Sequence, residues 1–573
     1  MRNQWSTKLL PALAMAGIAA SVGAFRLSAP APAAAADAIV NEFVYGGLAL
    51  APVAATAAGY HVHERQRLDG LLDDYSTAGI DRARRFNQQL LERLDELHGA
   101  RLDAEREADL GIVRDNVELN LLEYDRIRNY RHNPTVYVEL IGNGLYNPYV
   151  LAYAPPEERF RHIIQRLEGI PALLAQARAN LLDAPEIWNR VAREENDGNI
   201  ELIDRTLRAA APPAVADAYA QAAAPALASL RAFNDYLAHT LSARTSDWRL
   251  GKDNYERKCR YVLHIDRKPE QLLADAEADL AATRAEMARL AAPRSVEEAL
   301  AEVAREHATP ATYMDQGRET LAEATAFVRQ KDLLTLASDS NLAVIDTPAF
   351  MRGIYGVGGF NPAPALEPQL GAFFWMTPIP ADWPRARIDS KLREYNRYGL
   401  QQLTIHEAMP GHYVQAEYAN RIEPRTRRVL RAIWGNGPYV EGWAVYAQRM
   451  MSDEGYLGDS KALRLTMLKQ MLRGQANTIL DVRLQTMGMS EREALDLMIN
   501  QTYQEREEAT AKFQRAQLSS CQLDMYYAGA KAWLALREHY RQRHPRDYSL
   551  KAFHERALNE GAVPLPILDK LLR

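Results

Sequence analysis

Cysteine is scarce, because the 573-residue chain has only Cys259 and Cys521. They are far apart and form no C-x-x-C pair, which excludes the common cysteine-based zinc sites. Neither has the sequence setting of a catalytic thiol. Cysteines of an exported protein can form a disulfide, but isolated cysteines are commonly buried and free. The sequence leaves open whether these two are bridged.

The chain also lacks a large net charge of either sign, since its formal net charge is only −5. Basic clusters such as residues 425–428 and 541–543 are isolated and are expected to be solvated surface. Nucleic-acid binding would call for a basic domain with a recognisable fold. We therefore predict no nucleic-acid partner, and the charge pattern does not indicate an oligomeric state.

Long hydrophobic runs are lacking except near the N-terminus. Arg2 and Lys8 precede an uncharged apolar run from Leu9 to Ala24, which is shorter than the roughly 20 residues that a membrane span needs. This pattern is typical of a secretory signal peptide over residues 1–24, with cleavage as late as residue 36. We predict a periplasmic or secreted protein with no stable membrane insertion after signal cleavage. The alanine-rich stretch 46–59 contains a proline and is expected to be a loop.

The rest of the chain lacks low-complexity linkers and internal repeats. Its long segments carry apolar residues at three- and four-residue steps, which predicts helices. Residues 371–378 are short, aromatic-rich and bounded by glycine and proline, which predicts a strand. Residues 261–265 and 342–345 are weaker strand candidates. We expect residues 37–573 to form a single, mainly α domain with a small β-sheet beside the active-site cleft.

The run HEAMPGH at residues 406–412 places two imidazoles and a carboxylate within seven residues. Two neutral histidines and a carboxylate, with a fourth position left for water, commonly hold a catalytic zinc. Six residues separate His406 from His412, so an ideal helix would turn them roughly 120° apart. Because proline breaks the helical hydrogen-bond ladder and glycine tolerates unusual φ values, we interpret Pro410 and Gly411 as a two-residue bulge. The bulge would return His412 to the side of His406.

The third ligand candidate is Glu441, which begins the run EGWAVY. Its predicted helix is apolar nearly all round, and a buried carboxylate is costly unless it is paired or bound to a cation. A structural interpretation stays open, in which the helix dipole favours Glu441 at a helix N-terminus and His406 bonds to a backbone carbonyl. Sequence cannot establish that Glu441 lies near both histidines.

These motifs resemble those of bacterial domain-of-unknown-function family 885, whose members carry HEAxPGH followed by EGWAxY. The resemblance extends to residues 347–350, 553–554 and 561–565. In motif that family is similar to gluzincin metallopeptidases, which implies a large helical zincin-like domain. It also implies Zn²⁺ as the cofactor, bound by His406, His412 and Glu441, with Glu407 as the general base. The chain departs from the family pattern at Tyr413, Gln448 and Gln485.

The resemblance implies further site residues on the C-terminal side. Arg515 and Tyr526 match an Arg and a Tyr of the family pattern, and in zinc peptidases such groups bind a substrate carboxylate and the developing oxyanion. The predicted strand with Phe374 and Trp375 is similar to the edge strand that binds an extended peptide. Ordinary helix packing for Tyr526, a surface position for Arg515 and an ordinary buried strand are the structural alternatives.

The sequence therefore favours a secreted zinc metallopeptidase, in which Glu407 activates a metal-bound water against a peptide substrate. Two alternatives stay open. A non-catalytic peptide-binding protein could keep the same scaffold, because changes around metal ligands can cost activity. Two histidines and one carboxylate also form the facial triad of non-haem iron enzymes.

Overall fold

The computed structural model describes residues 31–265, 267–338, 340–352 and 356–573. The predicted signal peptide, residues 1–24, lies outside these described residues. The described chain folds mainly into helices, with only small sheets. The prediction of a mainly α fold is confirmed.

The N-terminal part of the described chain is helical almost from its start. Its elements are α1 (Pro32–Leu50), α2 (Pro52–Ala58), the short strands β1 (Val62–His63) and β2 (Gln66–Arg67), α3 (Thr77–Glu96) and α4 (Ala104–Leu122). The prediction of a loop over residues 46–59 is wrong, because Pro52 occupies the first turn of α2, where its missing N–H costs nothing. Within the described residues no single helix is long and apolar enough to cross a membrane. The pair α1 and α2, bent by 115°, meets that requirement by length and composition.

A second group of helices follows and packs around its own hydrophobic cluster. It comprises α5 (Asn129–His132), α6 (Thr135–Val150), α7 (Pro156–Asn180), α8 (Glu186–Glu201), α9 (Arg208–Ala210) and α10 (Ala216–His239). The buried residues come chiefly from α6, α7, α8 and α10. The exposed face of α8 lines a cleft together with residues of the C-terminal half.

The next group is α11 (Gly251–Leu263), α12 (Pro269–Ala291), α13 (Val296–Val303) and α14 (Tyr313–Gln330). The predicted strand at residues 261–265 is wrong, since Leu263 ends α11. Tyr255, Cys259 and Leu263 are buried at four-residue steps, so the apolar residues of that stretch follow the helical period rather than the strand period.

The main sheet has three strands, β3 (Leu342–Asp346), β4 (Gly358–Asn361) and β5 (Ala372–Met376), in the order β3-β5-β4. Strand β5 pairs parallel with β3 and antiparallel with β4, so that Phe374 lies opposite both Val344 and Phe360. Both strand predictions in this region are confirmed. The edge-strand interpretation of β5 is wrong, because a central strand has no free edge on which a peptide can pair.

The C-terminal half carries both motifs. It consists of α15 (Arg385–Glu394), α16 (Arg397–Glu407), α17 (His412–Ala419), α18 (Arg425–Ile433), α19 (Gly437–Asp453), α20 (Lys461–Thr486), α21 (Glu491–Asp496), α22 (Arg506–Leu518), α23 (Asp524–Arg543), α24 (Leu550–Asn559) and α25 (Leu565–Leu571). Helices α16 to α19 and α23 share a hydrophobic cluster with α1, α4, α14 and the sheet. Helices α20 to α22 share a further cluster with α11 and α12.

The two cysteines are bridged. A disulfide joins Cys259 in α11 to Cys521, with a Cα–Cα distance of 5.4 Å across a sequence separation of 262 residues. Cys521 lies in the turn between α22 and α23, so the bridge fixes the start of α23 against α11. The sequence had left this pairing open.

Candidate metal centre

The motif HEAMPGH forms a break between two helices. Helix α16 begins at the cap Asn396, whose side chain accepts hydrogen bonds from the next turn, and ends at Glu407. A new helix, α17, begins at His412. The predicted two-residue bulge is a larger break than expected, because residues 408–411 interrupt the helix completely. Its predicted consequence is nevertheless present, because the rings of His406 and His412 lie 4.7 Å apart between centroids.

Gly411 is required in this turn by the close approach of backbone atoms. A Cβ on Gly411 would lie 1.9 Å from the carbonyl oxygen of His406 and 2.3 Å from that of Ile405. Its φ of −72° is available to any residue, so the expected unusual φ is wrong. The reversal of the chain is so tight that any side chain at residue 411 would collide with the end of α16.

Trp443, in the second motif, holds this turn in place. Its buried indole N–H donates to the carbonyl oxygens of Pro410, at 2.8 Å, and of Gly411, at 3.2 Å. Glu441 lies two residues earlier on the same helix, α19. The second motif therefore provides both the carboxylate and the bond that fixes the turn before His412.

The three predicted ligands come together. Their ligand atoms lie within 4.8 Å of one another. Glu441 Oε2 is 3.4 Å from His406 Nε2 and 3.5 Å from His412 Nε2. Two ligands at about 2.0–2.1 Å from a tetrahedral zinc are themselves about 3.3–3.4 Å apart. The spacing and the N, N, O donor set fit a divalent cation such as zinc.

The electrostatics of the cluster keep Glu441 in the ionised form that a metal ligand requires. Burial would raise the pKa of Glu441, but the two neighbouring imidazoles outweigh burial and hold that pKa well below its usual range. Burial lowers the pKa of His412, whereas Glu441 and Glu407 raise it to a net value above the ordinary one. Within the described part of the chain, Glu441 Oε2 is buried without a hydrogen-bond partner, and such an oxygen is costly unless an ion binds it.

His412 lacks the second hydrogen bond that usually orients a metal-binding histidine. A metal-bound histidine normally donates its other ring N–H to a carboxylate or carbonyl, which fixes the ring. Among the described residues, His412 Nδ1 has no such partner and is buried. The ring of His412 is instead bounded by Phe360 of β4, whose centroid lies 6.4 Å away.

A cleft of about 480 Å³ opens on one side of the cluster. Glu407, the last residue of α16, lines it together with His406, Arg515 and Tyr526. The predicted general base Glu407, the predicted oxyanion donor Tyr526 and Arg515, predicted to bind a substrate carboxylate, therefore line one cavity. Phe374 and Trp375 do not line this cleft, because Phe374 is fully buried and Trp375 is 5% exposed in the core.

Tyr526 reaches the cleft because α23 packs very closely on α19. A Cβ on Gly442 would lie 2.4 Å from the carbonyl carbon of Gly529, and one on Gly529 would lie 2.1 Å from the oxygen of Pro438. Only glycines permit this approach, which stacks the Tyr526 ring 6.0 Å from that of His406. Burial, and then the charge of Glu441, raises the pKa of Tyr526 to about 12, so its hydroxyl stays protonated.

Arg515 is a neighbour of Tyr526 rather than a surface charge. Its Nη2 donates to the hydroxyl of Tyr526 and to Gln522 Oε1, each at 3.3 Å. Gln522 Nε2 also donates to the Tyr526 hydroxyl, at 3.2 Å. The phenol accepts these bonds, and its own proton remains available to a substrate oxygen.

The three departures from the family pattern have ordinary structural roles. The hydroxyl of Tyr413 donates to Asn341 Oδ1 at 3.1 Å. Gln448 lines the cleft and donates to the carbonyl of Gln402 at 2.9 Å. Gln485 donates to the carbonyl of Ser519, at 3.1 Å, in the turn before α23.

A group of charged side chains in the cleft, all but one of them buried, was missed from the sequence. It includes Lys391, Glu394, Arg473, Glu508 and Lys512, from helices α15, α20 and α22. One signal was present, because Lys512 lies three residues after Ala509 and four before Ala516, and both alanines are fully buried. A lysine on the buried face of a helix calls for a specific partner.

The fold resembles that of solved bacterial proteins over almost the whole chain. Among curated proteins, none is significantly similar to this chain. A candidate lipoprotein of unknown function from Shewanella oneidensis is 28% identical with a TM-score of 0.75, over 94% of this chain and 99% of that one. A candidate lipoprotein from Colwellia psychrerythraea is 17% identical, also with a TM-score of 0.75, over 94% and 98%. At 17% identity the likeness concerns the fold alone.

The family comparison covers almost the whole described chain. The model of a family described as "Bacterial protein of unknown function (DUF885)" matches residues 52–572. Both motifs that contribute to the cluster of His406, His412 and Glu441 lie inside the match. The chain therefore belongs to the DUF885 family of bacterial proteins of unknown function.

Proposed function

We propose that the protein is an exported, zinc-dependent peptidase. The observation that carries the proposal is the convergence of His406, His412 and Glu441, whose ligand atoms lie within 4.8 Å of one another, beside a cleft lined by Glu407. Three protein ligands with an adjacent carboxylate are the usual equipment of metal-assisted hydrolysis. A purely structural cluster would not need a glutamate facing the open cleft.

The reaction divides its tasks among the cleft residues. His406, His412 and Glu441 would hold a zinc ion, which when bound would supply a Lewis acid and make water more acidic. Glu407 accepts a proton from the attacking water and delivers it to the leaving amine. The Tyr526 hydroxyl donates a hydrogen bond to the oxygen on which negative charge develops.

Export is supported by several observations that do not involve the site. Residues 1–24 have the pattern of a signal peptide, and Cys259 and Cys521 are bridged. Disulfides persist mainly outside the cytosol. The similar protein from Shewanella oneidensis is described as a candidate lipoprotein. We propose a periplasmic, secreted or envelope location for this chain.

The decisive experiment compares wild type, Glu407→Gln and Glu441→Gln on a peptide library, with cleavage read by mass spectrometry. Glu407→Gln is expected to keep its zinc and to lose about 10²–10⁴-fold in hydrolysis, the usual contribution of a general base. Glu441→Gln is expected to lose zinc as well. A Glu407→Gln protein that cleaves as fast as wild type would remove Glu407 from the mechanism.

A second candidate function is a non-catalytic peptide-binding protein on the same scaffold. The buried His412 Nδ1 without a hydrogen-bond partner favours it, because losing such support typically costs 10- to 100-fold in metal affinity or activity. Metal analysis of protein purified without added metal separates the candidates. Stoichiometric zinc with hydrolysis supports the peptidase, no metal and no hydrolysis supports the binding protein, and iron with oxygen-dependent turnover supports the non-haem iron alternative.

A further inference from the structure

The cleft has more positive charge than its carboxylates can balance. The acidic side chains that line it, other than Glu407, each form an ion pair with a basic residue: Glu194 with Arg190, Glu394 with Lys469, Glu507 with Arg387, and Glu508 with Arg473. Among the described residues, Lys391 and Lys512 line the same cleft and form no ion pair with a carboxylate. The surplus charge is positive and lies in the interior of the cleft.

Lys512 is the more informative of these two lysines. Its side chain is 6% exposed, and its Nζ donates to the neutral amide oxygen of Asn477 at 3.2 Å. Burial, followed by the charges of Arg473 and Arg515, lowers the pKa of Lys512 well below its ordinary value. The charges of Glu508 and Glu441 raise that pKa and offset the shift only in part. Because burying an ammonium without a direct ion pair is costly, a bound anion would stabilise the charged form of Lys512.

Arg515 continues the basic lining of the cleft toward His406, His412 and Glu441. It lies three residues after Lys512 on α22, so both side chains belong to one helix face, and both line the cleft. Arg515 also bonds to Tyr526, which stacks on His406. The two basic residues are therefore connected to the proposed catalytic groups through a single tyrosine.

We propose that Lys512 and Arg515 form a subsite for a carboxylate of the peptide substrate. The inference rests on the proposed function and adds the substrate class to it. An ammonium and a guanidinium together suit the two oxygens of a carboxylate. A peptide carries that group at its C-terminus and in the side chains of aspartate and glutamate, and both sources share the same chemistry.

The test is a binding measurement that does not depend on turnover. Fluorescent peptides of one sequence are prepared as the free acid, as the C-terminal amide, and as the amide with one internal glutamate. Anisotropy with zinc-loaded Glu407→Gln protein, which holds peptides without cutting them, gives each affinity. The free acid or the glutamate peptide is expected to bind about ten- to hundredfold more tightly than the plain amide, as for a charge-assisted hydrogen bond. Whichever peptide binds better identifies the source of the carboxylate.

Substitution then assigns the preference to the subsite. Lys512→Met, added to the same background, is expected to abolish the preference and to leave the affinity for the plain amide within about twofold. Arg387→Gln is the matched control, because it removes a cation of the same cleft that is 46% exposed and already paired with Glu507; the preference should survive it. Lys512→Met should unfold no earlier than its parent on heating, since it removes a buried charge that has no direct ion pair.

Equal affinities for all three peptides would overturn the subsite, and so would a preference that Lys512→Met leaves intact. The peptide comparison in protein with Lys512 in place decides the matter even if Lys512→Met fails to fold. A carboxylate preference without hydrolysis in the wild type would refute the peptidase and keep the subsite. Hydrolysis without that preference would do the reverse.

Discussion

Trp443→Phe should weaken zinc binding although Trp443 touches no metal. The substitution removes the indole N–H that donates to Pro410 and Gly411 in the turn between α16 and α17. The carbonyl of Gly411 keeps a second donor, the backbone N–H of Gln415 at 3.1 Å. The carbonyl of Pro410 loses the one donor that the described chain gives it. The turn would then be less firmly held at the point where His412 begins.

The magnitude follows from that unsatisfied carbonyl. A buried acceptor without a donor costs about 1–3 kcal/mol, and shrinking a fully buried indole to a phenyl ring adds roughly 1–3 kcal/mol for the cavity. We expect a loss of about 2–6 kcal/mol in unfolding free energy. Because the turn positions one ligand relative to the others, zinc affinity should fall about 10- to 100-fold, as when the support of a metal ligand is removed.

The assay is competition for zinc with a chromophoric chelator, with thermal unfolding measured on the same samples. Trp533→Phe is the matched control, since Trp533 is equally buried, lies in the same cluster and donates its N–H to the carbonyl of Tyr439 at 2.9 Å. It should lose stability and keep its zinc affinity within about twofold. A Trp443→Phe protein that binds zinc like wild type, or a Trp533→Phe protein that loses as much, would refute the reasoning.

Three other predictions follow from the same packing. Gly411→Ala would bring a Cβ to 1.9 Å from the His406 carbonyl oxygen, so we expect a lower thermal midpoint and loss of zinc, measured as above; retention of both would contradict the tight turn. Replacing Cys259 and Cys521 together by serine should lower the free energy of unfolding by about 2–5 kcal/mol, measured as a lower thermal midpoint. Added reductant should lower the midpoint of wild type by the same amount and leave that of the variant unchanged. Burial lowers the pKa of His554 from 6.5 to about 4, so the unfolded chain binds its proton first as pH falls. Stability should therefore drop by about 3 kcal/mol between pH 6.5 and pH 4, and His554→Gln should lose that part of the slope in denaturant titrations.

The helical class and the candidate metal-binding residues could be predicted from the sequence, but not the convergence of Glu441 with the two histidines. Apolar residues that recur every three or four positions show which face of a segment is buried, and this pattern is sufficient to predict a helix. The strand at residues 372–376 was visible for a similar reason, as an apolar run between glycine and proline. The stretch at residues 261–265 was wrongly predicted as a strand. It contains the last turn of α11, and the earlier buried residues of that helix, Tyr255 and Cys259, lie outside the stretch.

Other features depend on contacts between distant segments. The central position of β5 depends on β3 and β4, which pair with it from both sides. The disulfide depends on α11 meeting a turn 262 residues away. Local spacing carries no information about such pairings, so Phe374 and Trp375 could not be recognised as core residues.

The sequence by itself determined which groups could bind a metal and that the run HEAMPGH could not continue as one helix. Proline and glycine impose that break through local sterics, which needs no partner. Only the tertiary structure decided that Glu441 faces both histidines, that Trp443 holds the turn between them, and that Lys512 lines the cleft and donates to an amide oxygen. The physical reason is that each of these depends on how closely α16, α19, α22 and α23 approach one another, and that approach is set by long-range packing and by the paired glycines of α19 and α23.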